Sequence, residues 1–199
     1  MARISVVIPT VKGREGVLKT CIRGYQKHSV NQVEIIIMRD RPTCGRAWLE
    51  SLPYADGDYI HFTADDLEPH EGWDQDVIEM ASNGIQPSPR IIYDGAVVFC
   101  GNHLGAGAVE PETGTVVGMS VIPFLSREML NAVLPLLDAH YYTDDWISWQ
   151  LERKGYQTQC CRTYEFEHHV SNVKRGAGMS QTDRMFHDRL IYEAARRAM

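Results

Sequence analysis

No run of apolar residues in this 199-residue chain approaches the ~18 that a membrane-spanning helix needs. The opening residues 1–9 carry too short an apolar stretch for a secretory leader. A basic block is lacking too: 20 Lys and Arg stand against 26 Asp and Glu, a net charge of -6. That balance speaks against a protein that grips duplex nucleic acid by its phosphates, although Lys12 with Arg14, Arg39 with Arg41, and Lys174 with Arg175 form local basic spots. The five cysteines are odd in number and show no C-x2–4-C spacing, so a disulfide framework or a structural zinc site at Cys160-Cys161 and His168-His169 is not expected. Reduced thiols point to a soluble, cytoplasmic setting. A Gly-Lys-Ser/Thr motif is also missing, which excludes a phosphate-loop ATPase. No internal repeat or linker is evident.

What is present is an ordinary globular composition, 44% apolar and 23% charged, in a length that suits one domain spanning residues 1–199. Residues 4–8 form a short β-branched run stopped by Pro9, which reads as a buried strand. Val17, Leu18, Cys21, Ile22 and Tyr25 recur at helical spacing. A second strand is expected over 33–38, a short helix around Ala47, Trp48, Leu49 and Leu52, a third strand over 59–63, and a helical stripe at Trp73, Val77, Met80 and Ala81. Strands alternating with helices predict an α/β fold with a mostly parallel central sheet and helices on both faces.

The pattern changes after residue 82. Residues 83–118 are rich in Gly and Pro, with β-like runs at 91–93 and 96–100 and a further strand expected over 116–122. Ser126 can cap a helix carrying Leu130 and Val133, which Pro135 interrupts. Thr143 or Asp144 opens another helix that Gly155 ends. A last strand is expected over 157–163. Residues 170–182 read as a mobile polar loop, and 183–198 as a terminal helix presenting Phe186, Leu190 and Ala194 on one side.

Ligands of open α/β sheets bind outside the carboxyl ends of the strands. Those ends carry Pro9 and Thr10, Asp40, and the pair Asp65-Asp66. Two adjacent carboxylates past a buried strand repel unless a cation relieves them, and a divalent metal would do so while sharing substrate phosphates. The plain alternative is that the pair caps a helix or lies in solvent.

Residues 4–10, the strand ending at Asp40, the segment 45–47 and the run 56–66 resemble, in order and spacing, the family 2 glycosyltransferases. These have the A-type, Rossmann-like nucleotide-diphospho-sugar-binding fold. The resemblance implies a donor half over 1–82, with Pro9, Thr10, Asp40, Arg46 and Asp65 at the nucleotide sugar. It implies that Asp65 and Asp66 bind Mn²⁺ or Mg²⁺. The first acid of the family's Asp-x-Asp motif is Thr63 here.

Residues 118–127, 143–145 and 151–156 look like the acceptor half of the same family, over 83–169. By that resemblance Asp144, or Asp145 one place on, is the general base, and His168 or His169 completes the metal shell. From the residues alone, helix capping explains one aspartate equally well. Trp146 is a candidate acceptor-stacking residue. Together these imply an inverting glycosyltransferase acting on an unidentified acceptor. A sugar nucleotidyltransferase and a non-catalytic sugar-nucleotide or glycan-binding module are the rival readings.

Overall fold

Strand β1 (Arg3–Thr10) runs through the centre of the molecule, with Ile4, Val6, Val7 and Ile8 wholly buried. Each such side chain withdrawn from water stabilises the fold by roughly 1.5–3 kcal/mol. The computed structural model describes residues 1–93, 96–99, 121–169 and 181–199. Helix α1 (Glu15–His28) follows β1 and buries Leu18, Cys21 and Tyr25 at helical spacing. Strand β2 (Gln32–Arg39) pairs in parallel with β1. Helix α2 (Cys44–Ser51) is capped by Thr43, whose hydroxyl accepts from the Arg46 amide at 2.9 Å. Strand β3 (Tyr59–Phe62) pairs in parallel with the other edge of β1.

The chain then leaves this sheet. Strand β4 (Leu67–Pro69) is followed by α3 (Gln75–Ser82), β5 (Ile85–Tyr93) and β6 (Ala96–Phe99). A short strand, β7 (Phe124–Ser126), returns antiparallel to β3, so the first sheet has the order β2-β1-β3-β7. Helix α4 (Arg127–Val133) is capped by Ser126 and ends before Pro135. Helix α5 (Thr143–Arg153) ends near Gly155, which takes the left-handed conformation at φ 86. Strand β8 (Gln157–His168) and helix α6 (Gln181–Arg197) complete the described chain.

The architecture is α/β, but the single central sheet expected from sequence is two four-stranded sheets, the second ordered β4-β8-β5-β6. The reason is the length of β8. It runs five residues past the expected end and pairs in parallel with β5 on one edge and antiparallel with β4 on the other. The alternation of 157–163 does not reveal that extension. A strand over 116–122 is not found within the described part of that stretch; residues 121 and 122 are irregular, and 116–120 lie outside the described residues. Lys174 and Arg175 also lie outside them, whereas residues 181 and 182 open α6 instead of extending a loop. The two expected halves interleave, since β7 completes the first sheet and β4 belongs to the second.

The face expected for α6 is also different. Phe186 and Leu190 are 65% and 49% exposed, and among the described side chains of the helix the buried ones are Asp188 and Tyr192. A buried carboxylate is invisible to hydrophobic periodicity, which therefore selects the outward stripe.

His61 anchors the core between the sheets. It is fully buried, with Nε2 2.8 Å from the Tyr25 hydroxyl and Nδ1 2.9 Å from the Tyr164 hydroxyl. Tyr164 donates to the Ile122 carbonyl at 2.8 Å, so its oxygen accepts from His61 Nδ1–H, while Tyr25 donates to the Thr63 hydroxyl at 3.1 Å. Burial pushes the His61 pKa down to about 3, and the ring is neutral.

Candidate functional site

The ends of β1, β2 and β3 converge. Pro9 and Thr10 pair with Met38 and Arg39, and the Asp40 amide donates to the Thr10 carbonyl at 2.8 Å. Asp40 adopts φ 54, a left-handed conformation that costs an L-residue energy, and its Oδ1 accepts from the Lys12 amide at 2.9 Å. This contact fixes the turn between β1 and α1.

The same turn presents Arg14. Its Nε lies 2.9 Å from both carboxylate oxygens of Asp65, and its Nη2 reaches Asp65 Oδ1 at 2.7 Å and Asp66 Oδ2 at 2.5 Å. Thr10 adds a hydroxyl bond to Asp65 Oδ2 at 2.6 Å. A cation does relieve the Asp65-Asp66 repulsion, as electrostatics requires, and it is the Arg14 guanidinium. Sequence reasoning noted Arg14 only as a basic spot; its place five residues beyond Pro9 was the available signal. The hydrogen bond to Asp65 leads the effects holding the Arg14 pKa above its ordinary value, and the nearby Asp66 charge adds to it.

Thr63, where the family pattern has an acid, is 2% exposed and faces the core with its hydroxyl 3.1 Å from that of Tyr25. The carboxylates therefore begin at Asp65. His168 is the last residue of β8 and His169 lies just past it, and their side chains meet different carboxylates. His168 Nε2 lies 3.6 Å from Asp66 Oδ2, whereas His169 Nε2 lies 2.8 Å from Glu68 Oε2. The Asp66 contact raises the His168 pKa against the opposing effect of burial. Burial pushes the Asp66 pKa up, but the His168 and Arg14 contacts outweigh it and hold the carboxyl below its usual value.

Among the described residues no group of three or more His, Cys, Asp or Glu is arranged to hold a metal. Asp66 and His168 nevertheless offer two ligand atoms to a cation at this strand end. The side chains are 19% and 31% exposed, and they offer a hard oxygen beside an imidazole nitrogen. Asp65, 6% exposed and held by Arg14 and Thr10, fits an anchor better than a ligand.

The second acidic pair lies beyond a loop over 137–142 that is seated on α2. The Gly45 amide donates to the Ala139 carbonyl at 2.8 Å, and a Cβ on Gly45 would lie 2.1 Å from the Leu137 carbonyl oxygen. Only glycine allows that approach. Thr43 donates to Asp138 at 2.6 Å, and Arg46, expected at the donor, forms an ion pair with the same Asp138 at 2.5 Å. The Thr143 hydroxyl lies 3.1 and 2.9 Å from the carbonyls of Leu137 and Ala139.

Tyr142 caps α5 with φ 67. Behind it, burial raises the Asp144 pKa to about 6, partly offset by backbone amides of Asp144 and Asp145 that favour the charged form. Asp145 is 3% exposed. Trp146, the candidate stacking residue, is 5% exposed, and its indole N–H donates to the Pro135 carbonyl at 3.2 Å. Its surface is largely spent on a second core cluster with Leu137, Ala139, Tyr142 and Tyr192. Tyr192 and Asp188 come from α6, a helix to which sequence reasoning assigned no part in the site.

A cavity of about 420 Å³ lies elsewhere, lined by His28, Glu68, Pro69, His70, Glu71 and Glu167. It contains none of the strand-end residues, whose convergence makes them the better candidate site. No helix among the described residues is long and apolar enough to cross a membrane. Neither a scan of known protein-family models nor a search of curated proteins returned a match.

Proposed function

We propose that this chain is a glycosyltransferase that moves a sugar, with inversion, from a nucleotide-diphosphate donor to an acceptor hydroxyl. The observation that carries the reading is the convergence of Thr10, Arg14, Asp65, Asp66 and His168 at the carboxyl ends of parallel strands. A carboxyl with a raised pKa, Asp144, opens the helix beyond the loop seated on α2.

In this reading Thr10 and Asp40 border the nucleoside, as the resemblance implies. Arg14 balances Asp65 and holds the loop that borders the diphosphate. A divalent cation held by Asp66 and His168 would supply charge neutralisation for the leaving diphosphate. Asp144 accepts the acceptor hydroxyl proton as the new carbon–oxygen bond forms and the bond to the diphosphate oxygen breaks. A pKa near 6 leaves Asp144 mostly ionised at neutral pH and more basic than an ordinary carboxylate. A second reading, a sugar-nucleotide-binding module without turnover, draws support from Arg14, which already pairs with both carboxylates.

Calorimetry with a panel of nucleoside diphosphates and their sugars, with and without Mn²⁺, tests the donor site on wild type and Asp66→Ala. Metal-dependent binding of one base, weakened in Asp66→Ala, supports the reading. Absence of binding under every condition removes its basis. Turnover of the bound donor separates the transferase from the binding module.

A further inference from the structure

We propose that α6 is a working part of the acceptor side and that Asp188 is a positioning residue for Asp144. This rests on the reading of Asp144 as the base, although its geometry does not.

The loop leading into α5 is irregular, and its backbone amides need partners from elsewhere. Asp188 provides them. Its Oδ2 accepts from the amides of His140 at 2.9 Å and Tyr141 at 3.0 Å, and the residue is only 4% exposed. Those two amides immediately precede Tyr142, the left-handed residue that caps α5. A tyrosine at φ 67 persists only when its surroundings hold it there. The Tyr142 ring stacks on Tyr192 with centroids 5.7 Å apart and planes 20° from parallel, so the same helix holds both the backbone and the side chain. Arg196 of α6 also lies over the Trp149 ring at 5.0 Å, a ring that Arg153 of α5 contacts at 4.7 Å.

The first turn of α5 therefore takes its place from α6. Asp144 follows Tyr142 by two residues, and Tyr192 feels the charges of both Asp145 and Asp144. The titratable and charged groups around this turn include Asp138, His140, Tyr141, Tyr142 and Asp145 from the loop and α5, with His187, whose Nδ1 lies 3.2 Å from Asp188 Oδ1, and Asp188, Arg189, Tyr192 and Arg196 from α6. Loss of Asp188 frees the 140–142 turn and loosens the helix start that carries the half-buried Asp144, opening it further to water.

The test is the titration of Asp144 followed by carbon NMR on Asp-labelled protein, with the resonance assigned through Asp144→Asn. Wild type is expected to titrate near 6. Asp188→Asn keeps an oxygen that accepts both amides and should stay close to wild type. Asp188→Ala should lower the Asp144 pKa toward its ordinary value. An Asp144 that titrates alike in wild type and Asp188→Ala overturns the proposal, as does a wild-type value already at 3.8. If Asp188→Ala does not fold, Tyr192→Leu keeps an apolar filling and removes the ring stack; an unchanged Asp144 there is equally decisive. The readout needs no donor and no turnover. A shifted Asp144 in a protein that binds no nucleotide retires the transferase reading and leaves the positioning role standing.

Discussion

Arg14 grips Asp65 through both Nε and Nη2, at 2.7–2.9 Å, while the same Nη2 reaches Asp66. One guanidinium thus balances two carboxylates that the strand end forces together.

Replacement of Arg14 by Ala should therefore be costly. It leaves two adjacent carboxylates without their cation, and breaking a largely buried pair from one side costs about 3 kcal/mol. Divalent cations should compensate. We expect Arg14→Ala to unfold at lower urea than wild type at pH 7, and Mn²⁺ to restore more stability to the variant than to wild type. Absence of any Mn²⁺ response in Arg14→Ala would show that metal does not reach these carboxylates.

Gly45→Ala places a Cβ 2.1 Å from the Leu137 carbonyl oxygen, a backbone atom that cannot rotate away. A loss of about 3 kcal/mol is expected from such overpacking. Hydrogen exchange should show faster exchange at the Gly45 amide, whose bond to Ala139 would be broken.

His61 should make the fold acid-sensitive. Its folded pKa of about 3 lies below the ordinary 6.5, so the unfolded chain binds the extra proton between these values. Its contribution is fully present above pH 6.5 and is lost as pH falls toward 3, on the order of 5 kcal/mol. Denaturant unfolding at pH 7 and pH 4.5 should show a smaller pH difference in His61→Gln than in wild type. Identical pH dependence in the two proteins would rule this out.

Asp144 should set the acid limb of any transfer activity. Base catalysis needs the carboxylate, so kcat/KM is expected to rise as pH increases through about 6. Asp144→Asn should lower kcat by roughly 10²–10⁴-fold with donor affinity retained. The folding linkage runs the other way. A carboxyl with a raised folded pKa stabilises fully below 3.8 and loses that contribution as pH rises through about 6, so Asp144→Asn should be relatively more stable above pH 6. A kinetic loss confined to Asp145→Asn would transfer the base role to the neighbour.

Much of the first sheet was legible because β1 and β2 are compact apolar runs stopped by Pro9 and by Asp40, and because Thr43, Ser126 and Gly155 are local punctuation. The places of Asp40, Asp65 and Asp66 just past β2 and β3 were legible for the same reason. The second sheet was not, because β8 pairs with β5 and β4, strands far away in the chain, and short-range alternation does not encode its full length.

By itself the sequence determined the alternation of strands and helices, the strand-end acids and the helix that begins at Thr143. These are properties of near neighbours: periodicity, capping and steric stops. Only the tertiary structure decided that Arg14 closes on Asp65 and Asp66, that His168 and not His169 faces Asp66, and that Asp188 holds the turn before Asp144. Each of those pairings joins residues tens of positions apart. Their energy depends on distance, burial and direction in space, and sequence spacing carries none of the three.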